Sequence, residues 1–410
     1  MIAAMSDPAT ANAASEGRKR HLHGTHRVAT PRETLARVSR LCAAAGITRV
    51  SMVTGLDRIG IPVAVACRPN SRSLSVFQGK GLSIEAAKVS AIMEALEVHH
   101  AEHASGPLRF ASTAEMRVAA RIAEPVRLPR LSRDAWDEHE PILWFEGRVL
   151  ASGEPAWIPF ELVNARYALP HPPGGYRFAA STNGLASGNE PLEAILHGLY
   201  ETIERDAIAL WLQGDEAARK ATALAPPPDG PAAEMLARCA AAGIRATLWD
   251  ATSDIGVATV VCLIRAGDEA VSDMGSGCHA DRGVALLRAV TEAAQSRLTR
   301  VSGAREDFGE EAYPRDPRAS DGGGHAVAAM PTARRMEDLP DFAAPTLQAD
   351  LREVAARLGA SGFEEVFVAD LTDPAFGIPV CRVVVPGLEG PAHSPAVAYA
   401  PGARARARMP

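Results

Sequence analysis

The chain has 410 residues, 47% apolar and 22% charged, with a formal charge of −6 from 43 basic and 49 acidic side chains. That composition excludes wholesale disorder, and the weak negative charge excludes a charge-driven nucleic-acid binder. Six cysteines (Cys42, Cys67, Cys239, Cys262, Cys278, Cys381) lie far apart with no C-x-x-C pair, so reduced thiols are expected rather than a zinc knuckle or a disulfide framework. The longest apolar runs, 61–67 and 255–264, reach about ten residues, short of the roughly 18 that a membrane helix needs. The first twenty residues lack the apolar stretch of a signal peptide, which predicts a cytoplasmic protein whose residues 1–20 are disordered.

Along the chain one pattern recurs three times. AAAGITRVSMVTGLDRIGIPVAVACRP (43–69), AAAGIRATLWDATSDIGVATVVCLIR (240–265) and GASGFEEVFVADLTDPAFGIPVCRVVV (359–385) each read as a helix ending in Gly, a β-branched run, an Asp-containing turn and a second apolar run. The first unit leads into a Gly-rich turn and a long amphipathic helix from Gly79, GKGLSIEAAKVSAIMEALEVHHAEH. After a mixed, Pro-rich stretch (105–180), a second turn and helix start at Ser181, STNGLASGNEPLEAILHGLYETIERDAIALWL. The linker APPPDGP (225–231) precedes the second unit, and a third turn and helix start at Gly275, GSGCHADRGVALLRAVTEAAQSRL. These elements predict an α+β protein with one domain over 21–400, flexible near 225–231 and 303–345, and an unstructured tail at 401–410. Lobes of this kind would place the three long helices around a central cleft.

Those helices carry narrow polar lines. At about 100° per residue, Ser90, Glu94 and Glu97 fall within roughly 60° of one another among Val89, Ile92, Met93 and Leu96. Glu193, His197, Glu201 and Glu204 span about 80° of the second helix, and Arg288, Glu292 and Gln295 repeat the spacing on the third. A surface helix has a broad face of mixed sign, whereas these lines are mostly acidic and set among apolar side chains. Gathered carboxylates resist desolvation unless cations neutralise them. Oxygen-only ligands favour Mg²⁺ or Ca²⁺ over zinc or copper, and Mg²⁺ arrives with substrate phosphates. Arg27, Lys80, Arg205, Arg288 and Arg297 are the cations a polyphosphate would need. A single such helix would more simply be solvated; three parallel lines favour a nucleotide and metal site.

Other signals are weaker. No G-x-x-x-x-G-K-[ST] occurs, so a P-loop is excluded, and Gly275, Gly277 and Ala280 imitate a dinucleotide fingerprint without the acidic residue expected about 20 positions on. His99, His100 and His103 offer an i,i+4 pair with no third ligand apparent, which reads as a solvated helix end. His26 and His279 fit phosphate donors or polar loop residues equally, and Arg305, Glu306 and Asp307, which open the loop, read as a solvated charge run in preference to a segment ordered by ligand.

The segments GKGLSIEAAKVSAIMEALE, STNGLASGNEPLEAILHGLYETIERDA and GSGCHADRGVALLRAVTEAAQSRL resemble the YcaO family, ATP-dependent enzymes that activate peptide backbone amides. The resemblance covers about residues 24–305 and implies a YcaO-like fold. VVVPGLEGP (383–391) and the N-terminal GTHR…PRETL look like the branch that works with a TfuA partner in thioamide formation. The resemblance implies that Glu94, Glu97, Glu193, Glu201 and Glu204 bind Mg²⁺. It places Ser90, Asn189 and Arg205 at ATP, with Arg27 and Thr34 where the family has a nucleotide-contacting Lys and Ser. Arg288, Gln295 and Arg297 match the third helix, without settling which of them touches phosphate.

Two departures bear on this. Glu97-Val98 stands where many members have Glu-Arg, and the P-x-P-x-P tail associated with azoline-forming cyclodehydratases is lacking. The implied reaction is O-phosphorylation of a peptide amide with external sulfide as nucleophile, giving a thioamide. The alternatives are an azoline-forming cyclodehydratase acting on Cys, Ser or Thr, and a non-catalytic nucleotide-binding scaffold. The expected partners are a peptide or protein substrate, a TfuA-like protein, a sulfur donor and a second copy in a homodimer, with neither nucleic acid nor membrane. No side-chain nucleophile is required, consistent with the lack of a Ser-His-Asp or Cys-His set.

Overall fold

The computed structural model describes residues 17–131, 136–179, 181–267, 271–309, 313, 333–390 and 402–407. In chain order come α1 (Pro31–Val38), β1 (Arg49–Met52), β2 (Val63–Cys67), β3 (Val76–Lys80) and α2 (Ile84–Glu102). There follow β4 (Leu108–Ser112), α3 (Thr113–Ala119), β5 (Pro141–Val149), β6 (Pro155–Pro159), α4 (Phe160–Val163), β7 (Leu185–Ser187) and α5 (Pro191–Gln213). Next are α6 (Glu216–Ala221), α7 (Gly230–Ala241), β8 (Ile244–Asp250), β9 (Thr259–Ala266), β10 (Asp273–Cys278) and α8 (Arg282–Ser302). The chain closes with α9 (Leu347–Ala360), β11 (Phe367–Asp370), β12 (Val380–Val384) and α10 (Ala403–Arg406). This is the α+β class expected, and among the described residues no helix is long and apolar enough to cross a membrane.

Two compact units share the chain. The inner unit comprises His21–Ala95 and Gly214–Ala343; the terminal unit gathers the described residues of Met1–Arg20, Leu96–Gln213 and Ala344–Pro410. The inner unit holds two three-stranded antiparallel sheets, β1-β2-β3 and β10-β9-β8. Helix α8 lies on β9 and β10 over a core that includes Leu248, Val260, Cys262, Ile264, Leu286 and Val290. The terminal unit is built on a six-stranded sheet, β4-β5-β11-β12-β7, with β6 paired to β5. Helix α5 covers β12 and β7.

The threefold unit read from the sequence is real down to individual hydrogen bonds. Gly46, Gly243 and Gly362 take positive φ (73°, 70° and 86°) after the helix, where a side chain would be strained. The strand pairs β1/β2, β8/β9 and β11/β12 are all antiparallel. In each loop one threonine hydroxyl accepts from the backbone of the returning chain: Thr54 from Val63 N (3.0 Å), Thr252 from Thr259 N (3.1 Å) and Thr372 from Val380 N (3.2 Å).

One expectation needs correction. Gly79, Gly275 and Gly277 do not lie in turns but within β3 and β10. A β-carbon at Gly79 would fall on the Ala91 nitrogen and Ala87 carbonyl of α2; one at Gly275 would fall on the Ala293 nitrogen and Ala289 carbonyl of α8. These glycines let a helix lie directly on a strand. In the terminal unit the glycine is on the helix instead: a β-carbon at Gly198 of α5 would meet Val383 Cγ2 at 2.8 Å and the Gly184 carbonyl at 2.9 Å.

The chain ends also differ from expectation. Residues 1–16 lie outside the described residues, but Arg18 bridges Thr346, and Lys19 Nζ sits 2.6 Å from Asp350 Oδ2 with both side chains buried. Residues 402–407 are packed as well, because buried Asp206 of α5 draws Arg404 into a two-pronged pair (3.0 Å each) while Glu389 accepts from Gly402 N (2.7 Å) and Ala405 N (2.9 Å). Of the expected flexible stretch 303–345, residues 310–312 and 314–332 lie outside the described residues. Its far end is anchored, with Arg334 Nη1 2.6 Å from Asp250 Oδ2. The thiols of Cys239, Cys262 and Cys381 are buried, and burial pushes all three up, Cys239 to about 11. Gly275→Ala, forced against backbone, should cost about 3 kcal/mol, whereas Gly46→Ala, strained in φ but with open space around it, should cost about 1 kcal/mol. Denaturation midpoints of the two variants check this ordering.

Candidate functional site

In the inner unit the site begins where Gly79 lets β3 press on α2. The close approach brings the turn carrying Ser90 against the strand, and Glu94 one turn on is surrounded by Gln78, Lys80, Glu292 and Arg305. Lys80 Nζ lies 2.6 Å from Glu292 Oε2, so the acidic member of the α8 line already holds a cation. Ser276 Oγ of β10 donates to the other Glu292 oxygen at 3.4 Å. The Glu94 carboxyl is pushed up to about 7, chiefly by burial; Arg305, Lys80 and the Gln78 backbone pull it down, and Glu292 adds repulsion.

The neighbouring charges are organised rather than solvated. Arg305 Nε donates to Asp307 at 2.8 Å, while Glu306 accepts from Ser75 N (2.7 Å) and Ser75 Oγ (3.1 Å), so the run read as a solvated charge cluster is folded onto the chain beside β3. Arg297, a candidate for phosphate, is held between two carboxylates, Asp57 and Asp273, each at 3.7 Å, with Arg300 also on Asp273 at 2.7 Å. Its side chain is buried within that ion-pair network. Arg288 and Gln295 stand one turn either side of Glu292 on α8. Arg27 is held by paired backbone hydrogen bonds with His21 (both 2.9 Å), and buried Thr34 donates its hydroxyl to the Thr30 carbonyl at 3.1 Å. His26 packs edge-on to His279, 4.9 Å between centroids, beside Asp281, which caps α8.

In the terminal unit two of the carboxylates are closed by nearby hydrogen bonds. Glu97, at the far end of α2, accepts from Ser187 N (2.9 Å) and Ser187 Oγ (2.6 Å). Glu193, 3% exposed, accepts from Asn189 N (3.1 Å) and Asn189 Nδ2 (2.9 Å), so the N-x-x-x-E spacing makes a closed local bond at the start of α5. Glu201 and Arg205 are half-buried farther along the helix and Glu204 is 2% exposed.

Sequence reading missed one side chain here. Arg382, 2% exposed in β12, reaches the Ser181 carbonyl through Nη2 and has the Glu201 carboxylate and the Tyr167 phenol as neighbours, while Nε and Nη1 meet no hydrogen-bond partner among the described residues. Burial pushes its guanidinium below the usual value. The signal was present as a lone cation within the apolar run VCRVVV, but the run reads first as strand core.

A model of the family described as YcaO cyclodehydratase, ATP- and Mg²⁺-binding, matches residues 78–389. The chain belongs to the YcaO family. It is 40% identical over 386 residues to an uncharacterized protein in the tfuA 3′ region of Rhizobium leguminosarum bv. trifolii, covering 88% of both chains. An uncharacterized protein of Methanothermobacter thermautotrophicus is 36% identical over 88% of this chain and 94% of its own. The fold matches YcaO from Methanopyrus kandleri bound with AMPPCP and Mg²⁺, with a TM-score of 0.73, 24% identity and coverage of 91% of this chain and 95% of that one. It also matches a heterocyclase in complex with substrate and cofactor, with a TM-score of 0.73 at 21% identity over 92% of this chain and 54% of that one.

The titration of Glu94 yields a test. Its folded-state value lies above the ordinary 4.5, so the proton-linked contribution to stability is fully present below about pH 4.5 and is lost as pH rises through about 7. The metal-free protein should therefore lose thermal stability more steeply between about pH 5 and pH 8 than Glu94→Gln, whose amide does not titrate. Equal slopes for the two proteins would contradict the burial assigned to Glu94.

Proposed function

We propose that this protein activates a peptide backbone amide by ATP- and Mg²⁺-dependent O-phosphorylation and that external sulfide completes the exchange to a thioamide. The observation that carries the reading is the set of desolvated carboxylates on α2 and α5, with Glu94 pushed up to about 7 and Glu193 and Glu204 almost without exposure. An all-oxygen donor set of this charge fits Mg²⁺, and a divalent cation offsets the burial that otherwise disfavours ionisation. Glu94, Glu97, Glu193, Glu201 and Glu204 are the residues that would hold it. Ser90, Asn189, Arg205, Arg288 and Gln295, with Arg27 and Thr34, are assigned to the nucleotide; the two-carboxylate clasp on Arg297 argues for leaving it out.

When bound, magnesium triphosphate supplies the phosphoryl group and neutralises the charge that develops on it. The protein's own part is positioning. Asn189 fixes one Glu193 oxygen, Ser187 fixes one Glu97 oxygen, and Lys80 and Arg305 set the potential around Glu94. No side-chain nucleophile is assigned, because the amide oxygen leaves with phosphate and sulfur enters from hydrosulfide; amide, H₂S and ATP balance with thioamide, ADP and phosphate.

The choice of sulfide rests on the relative beside tfuA, whose sequence is 40% identical, and a TfuA-like partner is assigned on the same ground. The experiment incubates the purified protein with Mg-ATP, a TfuA-like protein, sulfide and candidate peptides, and reads the product by mass. A gain of about 16 Da, sulfur for oxygen, is the expected result, with the signal lost in Glu201→Gln. A loss of about 18 Da would assign azoline formation instead, and nucleotide binding without peptide-dependent ADP release would leave a scaffold.

A further inference from the structure

The last turn of α2 and the residue after it carry a cluster that phosphate chemistry does not use. His99, Glu102 and His103 each place one ligand atom within 4.8 Å of the other two. The sequence suggested a solvated helix end with no third ligand. Instead Glu102 is 5% exposed, His99 is half-buried, and His103 alone of the three is exposed. The third donor comes from the same helix, since positions i, i+3 and i+4 share one face.

The two imidazoles are held in place before any metal arrives. His103 Nδ1 lies 2.8 Å from the His99 carbonyl oxygen. A carbonyl only accepts, so Nδ1 carries the proton and Nε2 keeps its lone pair, the arrangement in which metal-bound histidines are ordinarily fixed by a backbone partner. The His99 ring is 5.0 Å from Phe376 and 4.5 Å from the His103 ring, between centroids, so packing limits its rotation. His100 is directed elsewhere: its Nδ1 lies 2.7 Å from the Leu96 carbonyl and its ring packs on Phe376 at 5.1 Å.

We propose that His99, Glu102 and His103 form a Zn²⁺ site, separate in donor chemistry from the all-oxygen carboxylate set. Two imidazole nitrogens and one carboxylate oxygen are a His₂Glu donor set, which leaves the fourth tetrahedral position for water on the exposed side of His103. Nitrogen donors select zinc over magnesium and calcium. Zinc bonds of about 2.0–2.1 Å put ligand atoms roughly 3.4 Å apart, so the observed separations close by side-chain torsion with the helix backbone unchanged. Zinc would also place a positive charge beside the buried Glu102 carboxylate and tie down the last turn of a helix that carries Glu94 and Glu97 upstream.

The test uses untagged full-length protein, freed of metal by chelator and titrated with Co²⁺ in excess Mg²⁺. One equivalent should give the visible d–d absorption of tetrahedral cobalt, bleached by Zn²⁺, and Zn²⁺ should raise the melting temperature. His103→Ala, at an exposed position, should keep the wild-type circular dichroism but lose the spectrum and bind Zn²⁺ at least about tenfold more weakly; Glu102→Gln should weaken it in the same direction. His139→Ala, on another exposed histidine, should leave binding intact. A wild type without the tetrahedral spectrum, or a His103→Ala protein whose spectrum is unchanged, overturns the site. Either result leaves the magnesium and nucleotide reading standing, since the Co²⁺ signal does not depend on nucleotide.

Discussion

An ionised carboxylate in a water-poor interior is costly unless something cationic or hydrogen-bonding compensates it, and this chain places such groups repeatedly on α2 and α5. Each is answered differently. Asp206 receives the guanidinium of Arg404, Glu193 receives the Asn189 amide, and Glu97 receives Ser187. Glu94 has Lys80 and Arg305 nearby but is still pushed up to about 7, so its surroundings leave its charge only partly compensated. Burial pushes the Asp206 carboxyl up as well, but there Arg404 closes on it in a two-pronged pair. At Glu94 the proposed Mg²⁺ would offset that cost.

The backbone makes this possible through glycine. A helix lying on a sheet is ordinarily held off it by a layer of side chains. Gly79 in β3 under α2 and Gly275 in β10 under α8 remove that spacer within the inner unit, where Lys80 of β3 also lies 2.6 Å from Glu292 of α8. The glycines thus serve helix packing.

What was legible in the sequence had a short period. The helix-strand-turn-strand unit could be read because its signals, a helix-ending Gly and two β-branched runs, lie within about 27 residues. The carboxylate lines could be read because helical spacing is fixed. What escaped depended on partners far away in sequence: the pairing of Arg297 with Asp57, 240 positions upstream, is invisible to local pattern. Arg382 was hidden inside a strand-like run, and the C-terminal arginines looked solvated because Asp206 lies 198 residues before Arg404. The glycines were placed in turns because composition alone does not separate a glycine that bends the chain from one that admits a neighbour.

The central claim is that the buried carboxylates exist to hold a magnesium nucleotide. Isothermal titration of the full chain with a non-hydrolysable ATP analogue tests it most directly, comparing Mg²⁺ with chelator and wild type with Glu204→Gln. The account predicts binding that weakens at least about tenfold without Mg²⁺ and to a similar extent in the variant, whose fold is checked by circular dichroism. Equal affinity with and without the metal, or an unaffected variant, would contradict it.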